Sequence, residues 1–293
     1  MINLYLFILI FFIALYFYTR YQSNRSNELE LFSNLNQYSS MESSQSKLHD
    51  SSFYTLRDNY DGIYDDFYAF YYDQIHFKQD IYYNLCKAIL SYMGKVYNHV
   101  LVVGIKHGGH INDLLSNSMK VTSISKSESV IKYCKYKYSN HHYQHSSFNK
   151  MNCFDENQFT QIAIIDREIY YVNNLDEVLY YNYIWVAHKG YVMIQVFNTL
   201  KMFEDHFAQP SKNNVFINKY HIDSRITRQS NNEYELMEKI KSKKTGKNLT
   251  NIHRVTYYHN DYIIQACRNQ GLYYVESYPL SEHESALIFV KRQ

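Results

Sequence analysis

The sequence predicts an α/β fold in which a largely parallel sheet is covered by helices on both faces. Three observations favour it. Short apolar runs recur between Asn98 and Phe197, segments with helical spacing of apolar residues separate them, and a glycine turn follows the first run, "HVLVVG". Short apolar strands that alternate with helices are typical of a sheet that is buried on both sides.

Five strands and several helices follow from this pattern. The predicted strands are His99–Val103, Lys120–Ile124, His142–Ser146, Gln161–Ile165 and Tyr191–Phe197. The predicted helices between them are Gly109–Ser116, Ser127–Tyr138 and Asn174–Ala187. Two more helices are expected between Asn59 and Gly94, from the helical spacing of apolar residues. The chain closes with a helix, "DYIIQACRNQG", and two strands, "LYYVESYPL" and "ESALIFVKR", which favour a hairpin at the sheet edge.

The N-terminal segment predicts a membrane anchor. "MINLYLFILIFFIALYFYT" has no charged side chain before Arg20, and it has the roughly 20 residues that span a bilayer. A cleaved signal peptide would need a basic start and a small-residue cleavage site, and neither is present. Arg20 and Arg25 follow the segment, so the positive-inside rule places the main domain in the cytosol or inside a virion.

Three parts of the chain are therefore expected. Residues 1–20 form the single transmembrane helix, and residues 21–52, rich in Ser, Asn and Gln, form a flexible polar linker. Residues 53–293 form the folded domain. The formal net charge of +2 gives no support to general nucleic-acid binding. The four cysteines are far apart and form no CxxC pair, which excludes a cysteine zinc knuckle and a disulfide scaffold.

The order of motifs resembles a known family. "NHVLVVGIKHGGH", "KVTSISKSESVIKYCKYKY", "HKGYVMIQVFN" and "IIQACRNQGLYYVESY" resemble the first motif, the second strand and helix, the fifth strand, and the late helix and sixth strand of class I S-adenosylmethionine-dependent methyltransferases. The resemblance covers about Asn59 to Arg292. It implies a Rossmann-like seven-stranded methyltransferase sheet, and an insertion at about residues 201–260 that covers the substrate side.

A narrower resemblance concerns the source of the protein. "GIYDDFYAFYYDQI", "FTQIAIIDREIYYVNN" and "YIWVAHKGYVMIQVFN" are similar to membrane-anchored methyltransferase-like proteins of nucleocytoplasmic large DNA viruses. The hydrophobic N-terminus and the abundance of Tyr and Asn fit the same group. The resemblance implies a viral protein.

The resemblance also implies where S-adenosylmethionine would bind. The residues that it places at the cofactor are Gly104, Ile105, Lys106, Gly108, Ser125, Lys126 and Ser147. The family pattern is acidic-x-Gly-x-Gly-x-Gly, but Val102 stands at the acidic position and Lys106 at the second glycine. A lysine stem would crowd the close approach that glycine permits. Ser125 replaces the carboxylate that holds the ribose hydroxyls, and Ser146 or Ser147 replaces an aspartate near the adenine.

These departures predict weak or lost cofactor binding. Two lost charged contacts, at about 1.5–3 kcal/mol each, lower affinity at least about a hundredfold. No catalytic residues are identified, because Ile165-Asp166-Arg167-Glu168 stands where an Asn-Pro-Pro-Tyr-like tetrad would follow the fourth strand. We therefore expect a pseudoenzyme with a structural or interaction role and an unnamed protein partner. The alternative is an active, divergent methyltransferase near a membrane, because methyl transfer depends mostly on positioning.

Three smaller features leave alternatives open. Lys106, His107, His110 and Lys126 either hold an anion at a helix N-terminus or face water. The histidines of "NHHYQH" suggest a metal, but His142 and His145 would point to opposite faces of a strand, so no metal is expected. The run "EKIKSKKTGK" predicts a solvated hairpin tip. The alternative is that this basic loop contacts an acidic partner or lipid headgroups.

Overall fold

The structure is a computed structural model that describes residues 56–57, 60–76, 79–92, 98–106, 108, 114, 119–138, 141–146, 153–208 and 218–292. The predicted anchor, the predicted linker and most of the predicted helix Gly109–Ser116 lie outside these residues. Within the part that is described, no helix is both long enough and apolar enough to cross a bilayer.

The described chain alternates strands and helices, as expected. The strands are β1 Leu56–Arg57, β2 His99–Val103, β3 Lys120–Ser125, β4 His142–His145, β5 Phe159–Ile164, β6 Val186–Phe197, β7 Tyr220–Arg228, β8 Glu233–Ser242, β9 Asn248–Thr256, β10 Leu272–Pro279 and β11 Glu284–Lys291. The helices are α1 Tyr60–Ile63, α2 Asp66–His76, α3 Gln79–Ser91, α4 Glu128–Lys137, α5 Leu175–Trp185, α6 Leu200–Ala208 and α7 Asn260–Asn269, with a 3₁₀ helix, η1, at Glu168–Tyr171.

The main sheet has seven strands in the order β10-β11-β6-β5-β2-β3-β4. Strands β2 to β6 are parallel, and β11 is antiparallel to both β6 and β10. The five predicted parallel strands and the closing hairpin are therefore confirmed. The strand order reverses between β2 and β5, and ligands of open α/β sheets bind beyond the carboxyl ends of the strands at such a reversal.

Helices cover both faces of this sheet because successive strand residues point to opposite sides. Leu101 and Val103 of β2 pack in one core with α5, α6 and α7. Val100 and Val102 pack in a second core with α3. Every residue of β2 is buried, which explains why its sequence is a continuous apolar run rather than an alternation. Val102, at the family's acidic position, is thus a core residue.

Among the predicted strands, β6 differs most from its predicted bounds. Strand β6 begins at Val186 rather than Tyr191, and its pairing with β5 shifts register between Phe159 and Gln161. Lys189 adopts a left-handed conformation, with φ of 61°, within this irregular region. Lys189 and Gly190, which precede the predicted strand, therefore form an irregularity inside a longer strand.

A second, smaller sheet has the order β1-β9-β8-β7. Its strands β7 to β9 come from the predicted insertion, for which the sequence predicts only a hairpin tip. The tip is confirmed, since residues 243–246 are exposed and join β8 to the antiparallel β9. Alternate residues of β8 are buried, and these include Glu238, which is 1% exposed.

Candidate functional site

The candidate site lies at the carboxyl ends of β2 and β5, where the strand order reverses. Gly104 follows β2 with φ of 84°. Asp166 and Arg167 follow β5 with φ of 52° and 60°. Two consecutive non-glycine residues in the left-handed region cost about 1–3 kcal/mol each and persist only where their surroundings hold them. The chain is thus constrained at this point of the sheet.

The side chain of Glu168 lies directly against Gly104. A Cβ atom built on Gly104 would lie 2.3 Å from Cβ and 2.6 Å from Cγ of Glu168. Such an approach is closed to any residue with a side chain. The first glycine of the loop is therefore required here by a side chain of the protein itself.

Lys106 is buried at the same place, with a side chain that is 1% exposed. Its Nζ donates to the main-chain oxygen of Asp166 at 2.9 Å and lies 3.5 Å from Oε2 of Glu168. Burial lowers the pKa of Lys106, and the nearby Glu168 and Asp166 oppose that shift. The interpretation that Lys106 faces water is wrong, because its ammonium group has a carbonyl and a carboxylate as partners inside the protein.

The other predicted cofactor residues are close to this pair. Ile105 is fully buried. Ser125, which is 2% exposed, accepts a hydrogen bond from the main-chain N–H of Ser127 at 3.3 Å. Nζ of Lys126 lies 3.6 Å from Oε1 of Glu168. Both described lysines of the proposed anion site are thus directed at one carboxylate.

Gly108 has φ of 77°, as a glycine turn requires. The remaining predicted positions, His107, Gly109, His110 and Ser147, lie outside the described residues.

A buried polar network holds the Asp166–Glu168 turn. Tyr82 donates to Oδ1 of Asp166, and the main-chain N–H of Lys106 donates to Oδ2 at 3.1 Å. Arg167 donates to Oε1 of Glu284 at 2.6 Å. Burial alone would lower the pKa of Arg167, but Glu284, Tyr72 and Tyr82 together outweigh it and raise that pKa.

Gln195 completes the support of the turn. Its Oε1 accepts from the main-chain N–H of Asp166 at 2.9 Å, and its Nε2 donates to Oε2 of Glu284 at 2.6 Å. The strained turn is therefore tied to both β6 and β11. In the sequence, Asp166, Arg167 and Glu168 stand out only because they occupy the place of a catalytic tetrad.

The second sheet contributes another buried cluster beside the turn. Glu238 accepts from Tyr68 at 2.6 Å and bonds to Nε2 of His253 at 2.8 Å, and Nε2 of His76 is 3.5 Å away. Nδ1 of His253 in turn lies 3.3 Å from the hydroxyl of Tyr171. This chain links η1 and α2 to β8 and β9.

The protonation of this cluster follows from its surroundings. Burial alone would raise the pKa of Glu238, but His253 and His76 outweigh it and hold the pKa well below its usual range. Burial lowers the pKa of His76. The sequence signal that could have revealed the cluster is Glu238 itself, a charged residue at an inward position of the alternation Tyr234, Leu236, Ile240.

The cavity at the site is small. It has a volume of about 10 Å³, and its walls include Lys106, Tyr171, Glu238 and His253. That is room for about one water molecule. A second hollow, of about 190 Å³, lies beside Lys126 at the start of α5.

A hollow of about 640 Å³ lies at the opposite end of the sheet, where His99, Lys120 and His142 begin or precede their strands. This is the amino end of the parallel strands, whereas ligands of such sheets bind beyond the carboxyl end. We therefore do not assign it to the candidate site.

His141, which precedes β4, and His145, which ends it, have separate partners. Nε2 of His141 lies 3.0 Å from Oγ of Ser123, and Nε2 of His145 lies 2.7 Å from the main-chain oxygen of Lys126. In the described ranges, no group of three or more His, Cys, Asp or Glu residues is placed to hold a metal ion.

Comparisons with known proteins identify the architecture. No protein-family model matches the chain, and no curated protein matches it. Solved structures do match. The CcbJ methyltransferase from Streptomyces caelestis aligns with a TM-score of 0.57 and 13% identity over 78% of this chain and 98% of that one. An S-adenosylmethionine-dependent methyltransferase from Clostridium acetobutylicum aligns with a TM-score of 0.60 and 10% identity over 77% and 98%.

A third match is CalS10 from Micromonospora echinaspora, an amino pentose methyltransferase solved with S-adenosylmethionine bound. It aligns with a TM-score of 0.52 and 10% identity over 72% of this chain and 90% of that one. At these identities the likeness concerns the fold. The seven-stranded order and the glycine turn at its reversal agree with it, and the chain therefore has the fold of the class I S-adenosylmethionine-dependent methyltransferases.

Proposed function

We propose that this protein keeps a methyltransferase fold without methyl-transfer activity, and that its role is structural or in protein interaction. The observation that carries the proposal is the filling of the candidate site by Lys106 and Glu168. Pockets for cofactor-sized ligands have volumes of about 300–1,000 Å³, whereas the cavity beside Lys106 has about 10 Å³. S-adenosylmethionine would have to displace a buried ion pair to enter.

The polar groups around the site support the same proposal. Ser125 already accepts a hydrogen bond from the chain that follows it. The charge of Glu168 is faced by Lys106 and Lys126. Breaking a buried ion pair by removing one partner costs about 3–5 kcal/mol. Cofactor binding that separated Lys106 from Glu168 would therefore include an unfavourable contribution of that size. We expect binding to be weak or lost.

The proposal includes a membrane tether and a viral source. Residues 1–20 supply the apolar length for a single anchor, with Arg20 at its end and Arg25 beyond it. The motif resemblance to membrane-anchored methyltransferase-like proteins of large DNA viruses supports the source. The folded domain would then lie in the cytosol or inside the virion, next to the membrane that holds the anchor.

An active methyltransferase is the competing function, and one observation favours it. His253 is hydrogen-bonded to Glu238, at 2.8 Å, and reaches Tyr171 near the carboxyl ends of the strands. A histidine oriented by a carboxylate is a suitable proton acceptor for methyl transfer to an amine or hydroxyl. The pair is buried, however, and its cavity has no room for an acceptor substrate.

Calorimetry separates the two functions. Full-length protein titrated with S-adenosylmethionine should show no binding in the micromolar range. Micromolar binding would overturn the proposal and restore the enzyme. The sequence alone suggests that Lys106→Gly with Ser125→Asp would repair the site. The structure adds Glu168 to that list, because its side chain would still lie against Gly104. We expect the triple variant with Glu168→Gly to bind more tightly than the double variant.

A further inference from the structure

The ammonium group of Lys106 sits in a cage of aromatic rings. Its Nζ lies 4.2 Å from the ring centroid of Tyr171, 5.2 Å from that of Tyr64 and 5.8 Å from that of Tyr72. Glu168 adds a carboxylate oxygen at 3.5 Å. Several aromatic faces together with a carboxylate are the means by which proteins bind organic cations.

The walls of the cage are held by contacts that do not involve the lysine. The main-chain oxygen of Tyr64 accepts from Oγ of Ser127 at 2.6 Å. The hydroxyls of Tyr64 and Tyr171 are 3.5 Å apart, and Tyr171 also meets His253. The ring centroids of Tyr64 and Tyr72 are 6.0 Å apart. The cage should therefore survive the removal of the Lys106 side chain.

The ammonium group of a second buried lysine, Lys291, has different partners from that of Lys106. Nζ of Lys291 donates to the main-chain oxygens of Tyr183 and Val186, at 2.8 and 3.0 Å, and to Oδ1 of Asn157 at 3.0 Å. Its three hydrogens are thus satisfied by three neutral oxygens, and one ring, Tyr183, lies at 4.3 Å. Lys106 has one such oxygen, the main-chain oxygen of Asp166 at 2.9 Å, and its other partners are a carboxylate and three rings. A carboxylate and aromatic faces attract any compact cation and not only a hydrogen-bond donor.

We propose that this cage is a binding site for a small organic cation of the sulfonium or quaternary ammonium class, and that Lys106 is its tethered occupant. In the wild-type chain the lysine supplies the positive charge that Glu168 and the tyrosines would otherwise take from a ligand. The inference rests on the proposed function in one respect, which is that Lys106 rather than a cofactor fills the pocket.

Chemical rescue of Lys106→Ala in the full-length protein tests the inference. The variant should unfold at a lower temperature than wild type. Tetramethylammonium or trimethylsulfonium chloride should raise its unfolding temperature saturably, by about 3–5 °C at ten times the dissociation constant. Sodium chloride at equal ionic strength should not. Wild type should show no such rise, because its cage is already occupied.

Two matched variants exclude general effects. Lys291→Ala also removes a buried ammonium, but these cations should not rescue it, since its site presents neutral oxygens and one ring. Lys106→Met removes the charge and keeps most of the stem volume, so it should be folded, less stable than wild type, and unresponsive to the cations. Equal rescue of the Lys106 and Lys291 variants, or a folded Lys106→Ala without rescue, would overturn the inference.

A measurement on wild type covers the case in which Lys106→Ala does not fold. The Nζ hydrogens of Lys106 should give an NMR signal that exchanges slowly with water and is shifted upfield by the three rings. A neutral or freely exchanging amine would sink the inference. The two failures are distinguishable. Failed rescue of a folded Lys106→Ala contradicts the inference and leaves the proposed function intact, whereas micromolar binding of S-adenosylmethionine to wild type contradicts the proposed function whether or not the variant is rescued.

Discussion

Substituting Gly104 by alanine tests whether the side chain of Glu168 packs directly against this glycine. An added Cβ would lie 2.3 Å from Cβ of Glu168 and 3.0 Å from the main-chain oxygen of Ile165. Neither atom is the far end of a flexible side chain, so the backbone itself would have to shift. The left-handed conformation costs alanine about 1–2 kcal/mol, and overpacking typically adds about 1–3 kcal/mol. We expect Gly104→Ala to lower the free energy of unfolding by about 2–5 kcal/mol.

Gly246→Ala is the matched control. Gly246 also has a positive φ, 71°, but a Cβ there would meet nothing within 4 Å. Gly246→Ala should therefore lower the free energy of unfolding only by the cost of the left-handed conformation, about 1–2 kcal/mol. Urea denaturation at pH 7 measures both losses. If Gly104→Ala costs no more than Gly246→Ala, Glu168 does not lie against the loop and the filled-site argument fails. In the Gly104→Ala background, Glu168→Gly should lower the free energy of unfolding by less than it does in wild type. The reason is that it also removes the clash between the added Cβ and the Glu168 side chain.

Two further predictions concern acid stability and the tether. Burial lowers the pKa of His76, so the folded chain takes up this proton only at a lower pH than the unfolded chain, whose histidine has the ordinary pKa of about 6.5. Stability should thus fall as the pH drops below about 6.5, by at most about 1.4 kcal/mol per pH unit from this group. The urea midpoint of unfolding, measured as the pH is lowered, should decrease less in His76→Gln than in wild type. His283→Gln, at an exposed position, is the control and should behave like wild type. An equal decrease in all three proteins would contradict the assignment to His76. For the tether, alkaline carbonate extraction should leave full-length protein in the membrane pellet, and its release, or a mature N-terminus beyond Arg20, would argue against an anchor.

Periodicity alone predicted most of the main sheet. His99–Val103 was predicted with the bounds that the structure has, because His99 is followed by four apolar residues and all five are buried. The closing hairpin was predicted because no helical segment separates its two strands. Strand β6 was predicted five residues too short, since a left-handed Lys189 interrupts the pattern inside the strand.

The site itself was less accessible from the sequence. The departure at Lys106 was visible, because one glycine of a glycine loop is missing. Its partner Glu168 was not, since it comes from a turn about sixty residues later and nothing local marks it as buried. Glu238 and His253 lie on strands of an insertion whose pairing depends on contacts across the fold. Long-range pairing of charged residues is a tertiary property that local spacing does not encode.

The costly features at this turn support one another. A lysine buried here without partners would leave an uncompensated ammonium group, which costs several kcal/mol. Here the ammonium meets a carboxylate at 3.5 Å, a carbonyl at 2.9 Å and three tyrosine rings. The two left-handed residues beside it, Asp166 and Arg167, are held by Gln195 and Glu284. Each feature that is costly alone is stabilised by another, so the closed site contributes to the stability of the fold and single changes in it should be poorly tolerated.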